Sequence, residues 1–247
     1  MNLLNNKISV MRIKAMIPNL FTFLNMLAGC GAVVMLSDLK YDLAFYLVCL
    51  GIFFDFFDGF FARKFNVSGP LGVQLDSLAD MITSGFVPGY VVFSMLKTHN
   101  NIGLESYLPY FGFVITLAAC YRLAKFNIDV RQTDSFIGLP TPANALFFTS
   151  LPLLEHTSQL SALSEILNSS WVIVALVLLS AYIMNAEIPL FSLKIKDFPF
   201  TKYKVQVFFV SVSVLLLVFL QIAAIPLIII SYVLLSIVNN KLINKAL

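Results

Sequence analysis

Four aspartates, Asp55, Asp58, Asp76 and Asp80, stand in the stretch "DFFDGFFARKFNVSGPLGVQLDSLAD" of a chain that is otherwise almost continuously apolar. A helix advances about 100° per residue, so Asp55, Asp58 and Ala62 share one face, with Gly59 and Arg63 beside them. Asp76 and Asp80 stack on one face of a following helix. The turn "NVSGPLG" between the two helices sets them antiparallel and brings both carboxylate pairs to one end of a bundle.

Like charges in a low-dielectric setting repel, so either some of these acids protonate or a cation neutralises them. Hard oxygen ligands select Mg²⁺, Mn²⁺ or Ca²⁺ over zinc, and the paired spacing predicts a binuclear site with two divalent ions. Ions held by carboxylates bridge phosphate oxygens and stabilise both the entering and the leaving group of a displacement. Gly59 leaves room for a phosphate or a flat ring to approach the helix backbone, and Arg63 is placed to pair with an oxyanion. The chemistry that fits is displacement at a diphosphate. Two other readings compete. Intramembrane acids also line proton and cation pathways, but a transporter has no need of Gly-x-x-Ala-Arg beside them. Structural pairing with Arg63 and Lys64 offers too few bases for so many costly charges.

The elements that must position these residues are membrane spans. Only 12% of the 247 residues are charged and 59% are hydrophobic, against roughly 25% charged in a soluble domain. Apolar runs recur at roughly residues 17–37, 41–63, 74–96, 107–126, 142–155, 170–187, 205–220 and 223–239. The expectation is an all-α polytopic membrane bundle of about eight transmembrane helices, with residues 1–247 forming a single integral membrane catalytic domain. The fifth run is short for a full crossing. The last two form one apolar stretch, split between Gln221 and Pro226 because a single helix of that length would overshoot the bilayer. Residues 1–16, with Lys7, Arg12 and Lys14, read as a short cytoplasmic amphipathic segment before a retained first span, not as a signal peptide.

With both termini inside, fourteen of the sixteen Lys and Arg residues fall on the cytoplasmic side, and only Lys40 and Lys97 fall outside. Such a basic face favours anionic lipid headgroups or phosphates. Basic residues that flank spans, with no stripe of interleaved aromatics, argue against nucleic acid as a partner. The polar stretch 127–144 is the longest inner loop, and its Gly and Pro residues mark a shaped turn. Cys30, Cys49 and Cys120 lie in apolar runs as small hydrophobes, and no CxxC or Cys/His pair supports a disulfide or zinc framework. His99 and His156 fall in outer loops far from the acids, and Trp171 reads as an interfacial anchor. Glu187 reads either as a packing hydrogen bond or as a substrate contact. The phenylalanines around Asp55 and Asp58 read as packing or lipid-facing residues bordering a groove for acyl chains.

The series Asp55-x-x-Asp58-Gly59-x-x-Ala62-Arg63, then eight residues to Gly72, three to Asp76 and three more to Asp80, matches in full the signature of the CDP-alcohol phosphotransferases. The resemblance extends over most of the chain. Within that family, "IPNLFTFLNML", "GVQLDSLADMITSGFVPG" and "YRLAKFN" followed by "FIGLPTPAN" resemble the branch of membrane-type phosphatidylserine synthases. Lys125 stands where many relatives carry arginine, a change that keeps the charge. The resemblance implies that CDP-diacylglycerol and L-serine give phosphatidylserine and CMP, in a homodimer embedded among membrane lipids. It implies that Asp55, Asp58 and Asp76 bind the metal ions, with Asp80 completing the site and acting as general base toward the acceptor hydroxyl. It also implies that Gly59, Ala62, Arg63 and Gly72 line the CDP moiety, joined by Asn19 and Thr22. The alternative within the family is a transferase to a glycerol phosphate or an inositol phosphate.

A serine carboxylate calls for a cation, and Arg122 is the first candidate, with Lys125 and Arg131 behind it. Asn127 and the turn Gly138-Leu139-Pro140-Thr141-Pro142 are candidates for polar contacts to the amine. A phosphorylated acceptor would demand more cations than these three provide. The competing reading makes Arg122 and Lys125 positive-inside anchors or lipid-phosphate ligands.

Overall fold

The computed structural model describes residues 2–98, 103–129, 136–156, 161–191 and 204–246. Nearly all of them are helical. α1 (Asn2–Ser37) and α2 (Tyr41–Phe65) form an antiparallel pair. α1 runs helically from Asn2 through the juxtamembrane residues into the first span. α2 carries Asp42 in its first turn and Arg63 and Lys64 in its last, each complementing the helix dipole. It ends in a Schellman motif. Asn66 is left-handed (φ 53°, ψ 45°), its N–H bonds to the Arg63 carbonyl, and the Val67 N–H reaches back to the Ala62 carbonyl at 3.0 Å. Pro70 then opens α3 (Pro70–Asp80) at its first position.

α3 continues without interruption through a π-helical stretch, Met81–Phe86, into α4 (Val87–Thr98). A 3-10 segment, Gly103–Gly112, leads into α5 (Phe113–Ile128). α6 (Thr141–Ser150) tightens into a 3-10 turn, Leu151–His156. α6 sits in the middle of the bundle, against α2, α4, α10 and the π stretch, and buries Asn144, Ala145, Phe147 and Phe148. α7 (Ser161–Leu167) is short, and α8 (Ser170–Asn185) packs on α5. β1 (Phe136–Ile137) pairs antiparallel with β2 (Pro189–Leu190), Phe136 opposite Leu190. α9 (Lys204–Leu220) and α10 (Ala224–Ala246) close the chain.

Among the described residues five stretches are long and apolar enough to cross a membrane: Lys14–Ser37, Tyr41–Phe65, Pro70–Thr98, Glu105–Ile128 and Val205–Asn240, with the 16-residue α8 a shorter apolar helix. The outer surface agrees, since Phe23, Leu27, Phe53 and Phe56 are exposed where a soluble protein would bury them. This is an integral membrane protein. Length and composition do not establish the expected count of eight spans, because α6 holds ten residues before it tightens. The split of the last run does appear. Gln221 adopts φ 52°, and Phe209 of α9 lies 5.6 Å from Tyr232 of α10, ring to ring, a contact that requires α10 to fold back along α9.

Candidate active site

α2 and α3 bring Asp55, Asp58 and Asp76 together, one carboxylate oxygen of each lying within 4.8 Å of the others. The fourth acid, Asp80, sits one turn deeper on α3 and is buried, its carboxyl facing those of Asp55 and Asp76. α1 holds two of the acids from behind. Thr22 Oγ1 donates to Asp58 Oδ2 at 2.7 Å, and Asn25 Nδ2 donates to Asp80 Oδ1 at 3.1 Å. Asn25 is fully buried and was not among the residues singled out in the sequence. A signal existed: Asn19, Thr22 and Asn25 recur every third residue on an otherwise apolar helix.

The π stretch begins directly after Asp80, and such insertions cluster at functional sites. Its Thr83 Oγ1 donates to the Asn25 carbonyl at 3.0 Å, and Thr116 of α5 donates to the Gly85 carbonyl at 3.1 Å. Gly51 permits this approach, since a Cβ there would stand 2.6 Å from Thr83 Cγ2.

Asn19, Thr22, Gly59, Ala62, Arg63 and Gly72 all line one groove with Asp58 and Asp76. A Cβ at Gly72 would meet nothing within 4 Å, so no packing explains the glycine, and its bare backbone keeps the groove open. Among the described residues no Lys or Arg forms an ion pair with any of the four aspartates, which removes structural pairing as their explanation. Asp76 Oδ1 is buried with no hydrogen-bond partner among the described residues. Three clustered hard oxygen donors, one of them orphaned, fit a divalent cation.

The residues expected to hold serine divide into two groups. Asn127 faces α3, where its Nδ2 donates to Ser77 Oγ at 2.9 Å, next to Asp76 in sequence. Arg122 lies five residues earlier, about 140° around the helix, and points the other way. It is buried, and its Nη1 donates to the carbonyls of Ile137 (2.9 Å) and Met184 (2.5 Å) while Nη2 donates to that of Gly138 (3.2 Å). Gly138 has φ +73°, and a Cβ there would strike the Met184 carbonyl, so only glycine fits under this clamp. Lys125 Nζ lies 3.9 Å from a carboxylate oxygen of the exposed Glu187, just beyond the end of α8. Pro140 caps α6 and Thr141 is buried in its first turn. Arg131 and His99 lie outside the described residues. Trp171 donates to Glu105 at 3.1 Å on the exposed surface.

Fold and site together define a predominantly helical integral membrane protein with a carboxylate-lined groove at one end of its bundle. The family model of the CDP-alcohol phosphatidyltransferases matches residues 15–176, and the chain belongs to that family. It is similar to the CDP-diacylglycerol–serine O-phosphatidyltransferase of Bacillus subtilis, 35% identical over 144 residues, which cover 56% of this chain and 78% of that one. It is also similar to the enzymes of the same name from Helicobacter pylori strain 26695 (31% over 142 residues, 56% of this chain and 58% of that one) and Methanocaldococcus jannaschii (31% over 151 residues, 61% and 67%). The matched region thus spans little more than half of the Helicobacter relative's length.

Proposed function

We propose that the chain transfers the phosphatidyl group of CDP-diacylglycerol to the hydroxyl of L-serine, giving phosphatidylserine and CMP. The observation that supports this most is the groove itself: three clustered carboxylates that form no ion pair among the described residues, beside Gly59, Arg63 and Gly72, in a chain similar to enzymes of that name. Asp55, Asp58 and Asp76, with Asp80, are the ligands for divalent ions, two in number and Mg²⁺ or Mn²⁺ by preference, though Ca²⁺ also suits the donors. Bound there, the ions supply charge neutralisation for the diphosphate and for the departing CMP.

The protein's own groups do the rest. Asn19, Thr22, Gly59, Ala62, Arg63 and Gly72 hold the CDP moiety, Arg63 pairing with a phosphate oxygen. Thr22 and Asn25 fix the carboxylates of Asp58 and Asp80. Asp80 takes the proton of the serine hydroxyl as its oxygen forms the new bond to the lipid-linked phosphorus. The bond from that phosphorus to the CMP oxygen breaks, and the electron pair leaves with CMP. Asn127, beside Ser77, contacts serine, while Arg122, Lys125, Arg131, Gly138, Pro140 and Thr141 shape and charge the acceptor side. The site faces the cytosol with both termini inside, which the asymmetry of basic residues supports. Residues 1–247 act as one catalytic domain within a homodimer.

The deciding experiment is CMP release from CDP-diacylglycerol by purified protein with Mg²⁺ or Mn²⁺, comparing L-serine, glycerol 3-phosphate, inositol phosphate and no acceptor. Release that requires both serine and metal is expected. Release only with a phosphorylated alcohol would remove serine as acceptor, and none with any acceptor would remove the transferase reading.

A further inference from the structure

Thr83, in the middle of the π stretch, is fully buried, and its hydroxyl reaches out of its own helix. A buried hydroxyl usually turns back on the carbonyl four residues earlier, as Thr149 does to Ala145 and Ser236 does to Tyr232, both at 2.7 Å. Thr83 donates instead across to α1, to the Asn25 carbonyl at 3.0 Å. Two glycines make room for it. A Cβ at Gly29 would stand 2.5 Å from Thr83 Oγ1 and 3.0 Å from Thr83 Cα, and one at Gly51 would stand 2.6 Å from Thr83 Cγ2 and 2.9 Å from Asn25 Oδ1. Gly29 follows Asn25 by one helical turn, so its missing side chain uncovers the flank of the Asn25 carbonyl. Thr83 is thus keyed between α1 and α2, and Gly51 gives room to the Asn25 side chain in the same place.

Close approach at small residues and hydroxyl bonds between helices are common in membrane bundles, and alone they would make Thr83 a packing residue. The place where the bond lands carries the argument further. Asn25 is fully buried, and its amide donates at 3.1 Å to Asp80 Oδ1, three residues before Thr83 on the same continuous helix. The contacts therefore close a ring: the π stretch reaches α1 through the Thr83 hydroxyl, and α1 returns to α3 through the Asn25 amide. Two bonds restrain Asn25 against Asp80 where one would leave the helices free to slide. We propose that Thr83 is a positioning residue for the transfer, its hydroxyl holding Asn25 where the amide keeps the Asp80 carboxyl turned to the other acids. The inference rests on the role given to Asp80 above. Thr83 itself touches no substrate, because it is buried and lies outside the groove.

Thr83→Val keeps the shape and removes the hydroxyl. At saturating Mg²⁺ it should lower kcat for serine-dependent CMP release about fivefold, the effect of one hydrogen bond, with the KM for CDP-diacylglycerol unchanged. Mn²⁺ binding followed by electron paramagnetic resonance reads Asp80 without turnover and should weaken by a similar factor. Thr83→Ser, which keeps the hydroxyl and loses the methyl, should restore both. Asn25→Leu, which keeps the volume and removes the amide, should cost about 10- to 100-fold in metal affinity, and adding Thr83→Val to it should cost nothing more. Wild-type kcat and Mn²⁺ binding in Thr83→Val, whatever its melting temperature, would overturn the proposal and leave Thr83 a packing residue. Failure of Thr83→Ser to restore, or full additivity in the double variant, would overturn it too, since Thr83 would then act by its methyl or by a route other than Asn25. Wild type that binds Mn²⁺ but releases no CMP with serine would end the transferase reading and leave Mn²⁺ binding to decide the place of Thr83. Wild type that binds no Mn²⁺ would overturn both.

Discussion

Replacing Thr22 by valine removes one hydroxyl and almost nothing else. The side chain is 3% exposed and stays filled by an isosteric group, and its other hydrogen bond goes only to the Pro18 carbonyl of its own helix. What disappears is the 2.7 Å bond to Asp58 Oδ2. A hydrogen bond to a charged group contributes about 1.5–3 kcal/mol, and at about 1.4 kcal/mol per factor of ten that corresponds to roughly 10- to 150-fold in affinity for whatever Asp58 binds. Loss of a group that orients a metal ligand costs about 10- to 100-fold in metal affinity, so the two estimates agree. The Mg²⁺ concentration for half-maximal CMP release should therefore rise by one to two orders of magnitude, with most of the rate recovered at saturating metal. Direct Mn²⁺ binding, followed by electron paramagnetic resonance, should weaken by the same factor. Thr22→Ser, which restores the hydroxyl, should restore both. Metal curves for Thr22→Val that superimpose on wild type would refute the assignment of Asp58 as a metal ligand held by Thr22.

Gly72→Ala separates stability from function: a helical glycine costs about 0.5–1 kcal/mol relative to alanine and the new Cβ meets nothing, so the melting temperature should rise while the KM for CDP-diacylglycerol increases severalfold. An unchanged KM would mean that the groove does not carry the nucleotide. Asp80→Asn should reduce turnover by about 10²- to 10⁴-fold with CDP-diacylglycerol binding largely kept, and normal turnover would end its role as base. Arg122→Ala leaves the carbonyls of Ile137, Gly138 and Met184 without their donor, at about 1–3 kcal/mol each if they stay buried, so a marked drop in thermal stability is expected. A normal melt with a raised KM for serine would instead make Arg122 a direct serine ligand.

The reversal between the two acidic helices was legible because its chemistry is local: Asn66 tolerates the left-handed turn and Pro70 starts a helix. The convergence of Asp55, Asp58 and Asp76 follows from that reversal and from helical spacing alone. Arg122 was harder to read. A cation in a sequence announces its charge but not its acceptors, and main-chain carbonyls leave no mark in residue types. The Ile137, Gly138 and Met184 carbonyls become its partners only once the β1–β2 pairing has brought two distant loops together. The count of spans is not settled by length for a related reason, since α6 is surrounded by other helices and its ten residues need not match the thickness of the bilayer.

The π stretch was invisible to sequence periodicity, yet it bears on the acid assigned as base. One extra residue per turn after Asp80 swings Thr83 onto the Asn25 carbonyl, and Thr116 takes up the Gly85 carbonyl within the same stretch. Asn25 is thereby held by its backbone from one side while its amide donates to Asp80 from the other. Contacts thus run from α5 through the π stretch and α1 to a single carboxylate, and each polar link is a side chain that apolar packing could not replace. These contacts restrain the Asp80 carboxylate beside the other three acids. A general base must stand within reach of the acceptor hydroxyl and still leave the metal ligands undisturbed. A regular α-helix through Met81–Phe86 would rotate Thr83 away from Asn25 and release that constraint.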